Sequence, residues 1–317
     1  EQLIRELRSL SGTKGFNTIN TEIRILSNAY LMELLLLQRQ GKFQESVELI
    51  PKIDDFITEY QEVLSKEQCI LFIYYKSVSY FAIGEYKKTL TFINEVLKPI
   101  FKADVFEKQV DRFNFDNIFE YLIFNPFEAQ IDTGKMMNAL LQKAIANNIL
   151  ILNQVEVTSY LDKGNSVDVQ MNDFSFSTQK LFFATNGFAE KITNNQVKPA
   201  RAQVLITEPI PNLDIKGTFH LDKGYYYFRN IDDRILLGGG RNLDFDGETT
   251  TEFGQTELIQ NHLEKLLKEV ILPDTDFKIA HRWSGIMGMG SSKKPIVEPL
   301  SENVFCGVRL GGMGVAI

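Results

Sequence analysis

Apolar residues recur three and four positions apart through "TEIRILSNAYLMELLLLQRQ" (21–40), with no proline among them, and that period predicts an amphipathic helix. Gly41 then stops it. "KFQESVELIPKIDDFITEYQEVL" resumes the helical period, and Pro51 inside it predicts a break or kink. "KEQCILFIYYKSVSYFAIG" and "EYKKTLTFINEVL" complete a stretch that reads as helix throughout residues 1–95.

From about residue 97 the pattern changes to mixed helix and strand. "DTGKMMNALLQKAIANNI" (132–149) predicts a helix that Asp132 or Thr133 can cap. "LILNQVEV" is rich in β-formers, and "SVDVQM" and "FSFS" alternate like strands of a meander. "QKLFFATNG" predicts a buried strand ending in a turn at Asn186-Gly187. "AQVLITE", "GYYYFRN" and "DRILLGGG" predict further strands, and "TELIQNHLEKLLKEVIL" (256–272) an amphipathic helix. "NVFCGVR" is a last strand, leading into the glycine turn of "GVRLGGMGVAI" (307–317). The predicted domains are therefore 1–95, all helical, and 96–317, α/β with an interleaved strand-rich part.

Two junctions in the helical part look alike. "QGKFQESVELI" (40–50) and "IGEYKKTLTFI" (83–93) share a glycine, a charged residue and an aromatic. They resemble the tetratricopeptide-repeat turn, where Gly41 or Gly84 would permit the corner and Phe43 or Tyr86 would pack back. Their offset of 43 exceeds the roughly 34-residue period of that repeat. A TPR-like hairpin array and generic antiparallel helices both fit. The aromatics Tyr74, Tyr75, Tyr80 and Phe81 read as core.

Composition narrows the chemistry. The net charge of −7 divides as −2 over residues 1–95 and −5 over the rest, so neither part reads as a nucleic-acid-binding block. Cys69 and Cys306 are distant and form no CxxC, which argues against a disulfide scaffold, and both read as small buried apolar residues. The three histidines, His220, His262 and His281, are not at ligand spacing, so no metal site is expected. Lys76 interrupts the longest apolar run, so no membrane span is expected. No signal-peptide pattern occurs, which makes cytoplasmic the expectation.

The segments "NPFEAQIDTGKMMNALLQKA", "LFFATNGFA", "KPARAQVLITEP", "YYYFRNIDDRILLGGGR", "HRWSGIMG" and "GVRLGGMGVAI" occur in one order. That order resembles the FAD-dependent oxidoreductases of the D-amino-acid oxidase and glycine oxidase superfamily, over about residues 97–317. The resemblance implies FAD as cofactor and positions for it. Val155 would bring its backbone to the adenine. Ala184, Thr185, Asn186 and Gly187 would run beside the ribose and pyrophosphate. Gly311, Gly312, Met313, Gly314 and Val315 would offer backbone N–H groups to the flavin edge, where reduction builds negative charge. Tyr225, Tyr226 and Tyr227 would lie on a strand facing the flavin across the substrate, with Tyr226 on the opposite face from the other two. Tyr226 and Arg229 are the substrate-side candidates. Arg229 either holds a substrate carboxylate or pairs with Asp232 or Asp233. Trp283 would pack at the cavity edge.

Two departures from the family pattern stand out. Nothing in residues 1–96 matches the strand, G-x-G-x-x-G turn and helix that bind the pyrophosphate. "GIMGMG" (285–290) has its glycines at another spacing. After the W-x-G segment stands Met287, where members that oxidise amino acids often carry arginine. The fold class expected is thus a TPR-like helical array followed by the C-terminal part of a two-domain FAD-binding fold, with an incomplete Rossmann-like sheet and an antiparallel substrate-domain sheet. The seam near residues 91–106 fits a fusion, a truncation or a composite. The function implied is hydride transfer from the C–N bond of an amine or amino acid to flavin. The alternative is a non-catalytic interaction module whose helical segment binds a protein partner and whose oxidoreductase remnant is inert.

Overall fold

The computed structural model describes residues 19–194, 196–292 and 294–312. The chain divides into two units: Glu1–Val110 with Tyr121–Glu128, and Asp111–Glu120 with Ala129–Ile317.

In the first unit the helical period becomes α1 (Ile19–Arg39), α2 (Phe43–Tyr60), α3 (Lys66–Ala82) and α4 (Tyr86–Phe101). Gly41 and Gly84 take φ of 73° and 83° at the corners, a conformation that costs other residues a Cβ clash. Ser65 opens α3 with a capping box, accepting from the Gln68 N–H while the Gln68 side chain accepts from the Ser65 N–H. Pro51 does not break α2. The helix runs through it, because Ser46, Ile50, Ile53 and Phe56 sit three or four apart on one buried face. Leu31, Leu34, Ile53 and Phe72 form the centre of this core. A short pair, β1 (Glu107–Gln109) and β2 (Leu122–Phe124), follows.

The second unit contains α5 (Thr133–Ala146), capped by the Asp132 carboxylate, which accepts from the Lys135 N–H at 3.0 Å. Next come β3 (Val157–Asp162), β4 (Val167–Met171) and β5 (Ser175–Thr178), an antiparallel meander. The expected strand over "LILNQVEV" is absent before Val157, and Asn148 and Gln154 take positive φ there. After β6 (Leu181–Phe183) come β7 (Lys198–Thr207), β8 (Thr218–Leu221), β9 (Tyr226–Ile231) and β10 (Arg234–Gly239). Then α6 (Glu257–Leu266), β11 (Ile279–Met289), β12 (Ile296–Pro299) and β13 (Val304–Val308) complete the unit.

These strands build a five-stranded antiparallel sheet in the order β11-β7-β10-β9-β8 and a three-stranded sheet in the order β12-β13-β6. In the latter, β6 and β13 run parallel. β6 is shorter and more open than expected: Phe182 is 58% exposed. One face of the large sheet is covered by α6 and the turn after it, and Leu205, Tyr226, Phe228, Ile235, Leu237, Ile259 and Leu263 form the main core there.

Candidate functional site

Three chain segments from both sheets meet at one place, and glycines make the meeting close. Behind β6, Asn186 takes φ 42° and opens a 3-10 turn through Phe188. Its Oδ1 accepts the backbone N–H of Leu310 at 3.0 Å, just past β13. A Cβ on Gly288, near the end of β11, would stand 2.6 Å from that same oxygen, so only glycine lets the amide lie there. Gly288 in turn accepts, through its carbonyl, the N–H of Gly311 at 3.1 Å. Gly187 packs onto the Ile286 and Met287 carbonyls, both 2.9 Å from where its Cβ would be. Gly290 packs onto Arg309, whose Nε donates to the Lys294 carbonyl at 2.9 Å.

The face of the large sheet away from α6 is open. Directly opposite residues share a face, so pairing aligns His220, Tyr227, Gly238, Val204 and Trp283 in one rung across five strands. The neighbouring rung holds Thr218, Arg229, Leu236, Ile206 and His281. Tyr227 is 36% exposed and Trp283 40%. Burial nevertheless pushes the Tyr227 phenol above its ordinary range. Arg229 Nη1 donates to the Ile131 carbonyl at 2.6 Å. Among the described residues Asp233 pairs with Lys216 instead, at 3.9 Å, and no ion pair joins Arg229 to Asp232 or Asp233.

Behind the open face a polar chain holds the strands in place. Glu248, 0% exposed, accepts from Arg201 Nε at 2.9 Å and Nη2 at 2.8 Å, and from Gln203 Nε2 at 2.9 Å. The Gln203 carbonyl oxygen accepts from the Thr256 N–H and from Gln260, and Gln260 accepts from Arg282. Arg201 and Gln203 lie on β7 and Arg282 on β11, so the chain spans the strands that carry Trp283 and Gly288. Bonding to Glu248 raises the Arg201 guanidinium further above neutrality. Among the described residues no cluster of three His, Cys, Asp or Glu side chains can hold a metal ion. Nor is any described helix long and apolar enough to cross a membrane.

The expected site residues fall into groups. Asn186, Gly187 and Gly311 come together, but their groups are turned to the protein itself. The Asn186 Oδ1 and the Gly311 N–H are both engaged within the cluster. Ala184 and Thr185 are exposed beside them. Gly312 is open, with no heavy atom within 4 Å of an added Cβ, and Met313, Gly314 and Val315 lie outside the described residues. Val155 is in the irregular stretch before β3, 37% exposed, not in a strand. Tyr226 is 4% exposed, on the helix-covered face, its ring stacked on His262 at 5.2 Å. Alternation along β9 puts it there, and that leaves Tyr227 and Arg229 toward the open face, while Tyr225 precedes the strand in a turn. The sequence reading missed Gly288, Gly290 and Glu248. The glycines at 285 and 288 on β11, and at 290 just past its end, were the available signal.

Comparison with solved structures finds the same fold at low identity. L-proline dehydrogenase from P. horikoshii matches with TM-score 0.57 and 18% identity, over 73% of this chain and 64% of that one. Iminodiacetate oxidase from Chelativorans sp. BNC1 matches at 0.59 and 17%, over 74% and 65%. Glycine oxidase from Bacillus cereus matches at 0.61 and 12%, over 73% and 65%. The chain thus spans slightly less than two thirds of the length of these relatives. No curated protein matches it. The profile of the family described as FAD dependent oxidoreductase (DAO) matches residues 35–317, starting inside α1. With nearly the whole sequence inside that match, the chain belongs to the DAO family of FAD-dependent oxidoreductases.

Proposed function

We propose that the chain carries the substrate face and the flavin edge of an FAD-dependent oxidoreductase acting on the C–N bond of an amine or amino acid. The observation that carries this reading is the open shelf along β11. Trp283, Gly285 and Met287 share the uncovered face, and Gly285 has nothing within 4 Å of an added Cβ. The shelf runs toward Gly288, which is tied to the turn at Leu310–Gly312. A flat, partly apolar ring system fits such a surface, and the exposed backbone at Gly312 fits its polar edge. Bound there, FAD would supply a two-electron acceptor for hydride from the substrate carbon.

The chain's own residues would orient the substrate. Tyr227 and Trp283 offer aromatic surface on one rung. Arg229, held through one Nη by the Ile131 carbonyl, keeps further N–H groups for a carboxylate. Tyr226 is not retained in this role. The fit is incomplete at the other end of the cofactor: the stretch has no G-x-G-x-x-G turn for the diphosphate. Charge-assisted hydrogen bonds contribute about 1.5–3 kcal/mol each, so losing two or three lowers affinity by orders of magnitude. Weak FAD binding by this chain alone is the expected outcome. Two units, with the helical one TPR-like, and a cytoplasmic location complete the proposal.

A second reading, a protein-binding helical module, rests on one feature. An open apolar groove of about 350 Å³ lies between α3 and α4, lined by Ile70, Ile73, Val78, Phe81, Ile93 and Leu97 among others. FAD titration followed by flavin fluorescence and by the flavin absorbance near roughly 450 nm separates the two. Saturable binding supports the oxidoreductase reading. No binding at the highest soluble FAD concentration removes it and leaves the module.

A further inference from the structure

We infer that Asn186 is a positioning residue for the flavin edge. Its amide oxygen sets the conformation of the Leu310–Gly312 turn against β11, and with it the placement of the exposed backbone at Gly312. The inference rests on the proposed flavin site and assigns Asn186 a role other than direct contact with the cofactor.

The geometry carries it in three steps. First, the Asn186 Oδ1 is the acceptor for Leu310 N–H at 3.0 Å, a bond that ties two segments 124 residues apart. Second, the next amide along the turn, Gly311 N–H, is held by the Gly288 carbonyl at 3.1 Å. Two consecutive N–H groups are therefore fixed from the protein side. Arg309 and Gly311 both take positive φ, 62° and 56°, so the chain reverses sharply at this point. Third, the Asn186 side chain is itself confined. Its oxygen occupies the space that a Cβ on Gly288 would fill, and its backbone sits at φ 42°, where asparagine is among the few tolerated residues. A turn so short has few other restraints. With the Leu310 N–H released, the turn is left with the Gly311 bond to the Gly288 carbonyl and the Arg309 Nε bond to the Lys294 carbonyl.

The test uses the full chain and two substitutions. Asn186→Gly keeps the positive φ without strain but removes the acceptor. Asn186→Asp keeps an oxygen acceptor and tolerates the same φ. FAD affinity is measured by fluorescence titration, and amide hydrogen exchange is followed at Leu310 and Gly311. The expected result is faster exchange at both amides in Asn186→Gly, with FAD affinity down tenfold or more, and both properties restored to near wild type in Asn186→Asp. Unchanged exchange in Asn186→Gly overturns the inference. So does faster exchange with unchanged FAD affinity, because the contact would then be structural only. If the wild-type chain takes up no FAD, the proposed function itself fails and the inference with it. That outcome is distinct from the other two, in which wild type binds.

Discussion

The ring of Tyr227 lies directly on Gly238. The two residues are cross-strand partners, and a Cβ on Gly238 would stand 2.6 Å from both Cζ and Oη of the tyrosine. The phenol is thus laid along the open face of the sheet, toward Val204 and Trp283, instead of standing up from it.

Substituting Gly238→Ala should lift that ring. Overpacking of this kind costs about 1–3 kcal/mol, and the double variant Tyr227→Ala/Gly238→Ala should recover most of the loss. With its ring displaced toward water, Tyr227 should also titrate closer to the ordinary phenol range, since burial is what raises it. Urea unfolding and alkaline ultraviolet titration check both. Wild-type stability in Gly238→Ala would mean the ring is not seated there.

Glu248 is the hub of the polar chain behind the sheet. Arg201 keeps only 12% of its side chain exposed, so removing the carboxylate strands a desolvated guanidinium. Glu248→Ala should destabilise by about 3–5 kcal/mol, whereas replacing both partners with apolar residues should cost far less. Chemical denaturation of the single and paired variants decides it. Equal losses in both would show that packing, not the stranded charge, sets the cost.

Asp162, at the end of β3, accepts from Ser301 Oγ at 2.6 Å, from the N–H groups of Gly164 and Asn303, and from Asn303 Nδ2. These bonds, the Ser301 one foremost, hold its carboxyl well below the usual carboxylate range. The folded state therefore binds a proton less readily than the unfolded one. The contribution is in place above the unfolded carboxylate value and fades as pH falls below it toward the lowered folded value. Asp162→Asn should flatten the loss of stability across the acid range, from about pH 4 downward. Thermal unfolding as a function of pH measures the slope; parallel slopes for wild type and variant would dismiss the effect.

Much of the fold was legible because it is periodic. The alternation in "YYYFRN" separated Tyr226 from Tyr227, and Asp132 announced the start of α5. Where local signals misled, packing or backbone geometry decided. Pro51 stays inside α2 because the buried face on either side is worth more than one lost hydrogen bond. "LILNQVEV" has β-forming side chains, but Asn148 and Gln154 turn left-handed within or beside it. The site was half legible. The terminal glycines were visible as a turn, but their internal partners were not. The bond from Leu310 to Asn186 spans 124 positions, and no short-range pattern encodes it. The glycines of "GIMGMG" stand at the wrong spacing for a phosphate turn; Gly288 and Gly290 instead let distant segments of the same chain approach closely.

The meeting of Asn186, Gly187, Gly288 and Gly290 also bears on how this sequence can diverge. At Gly187, Gly288 and Gly290 an added methyl would collide with atoms of a distant segment. A drift at any one of them is then harmful on its own, whatever its polarity; at Gly187 and Gly290 the facing atoms include backbone carbonyls, whereas at Gly288 the nearest is the Asn186 side-chain oxygen. A change at Gly288 should therefore be tolerated only alongside a change at Asn186. In a mutational landscape the two are not independent sites, and libraries that vary one position at a time will score Gly288 as immutable.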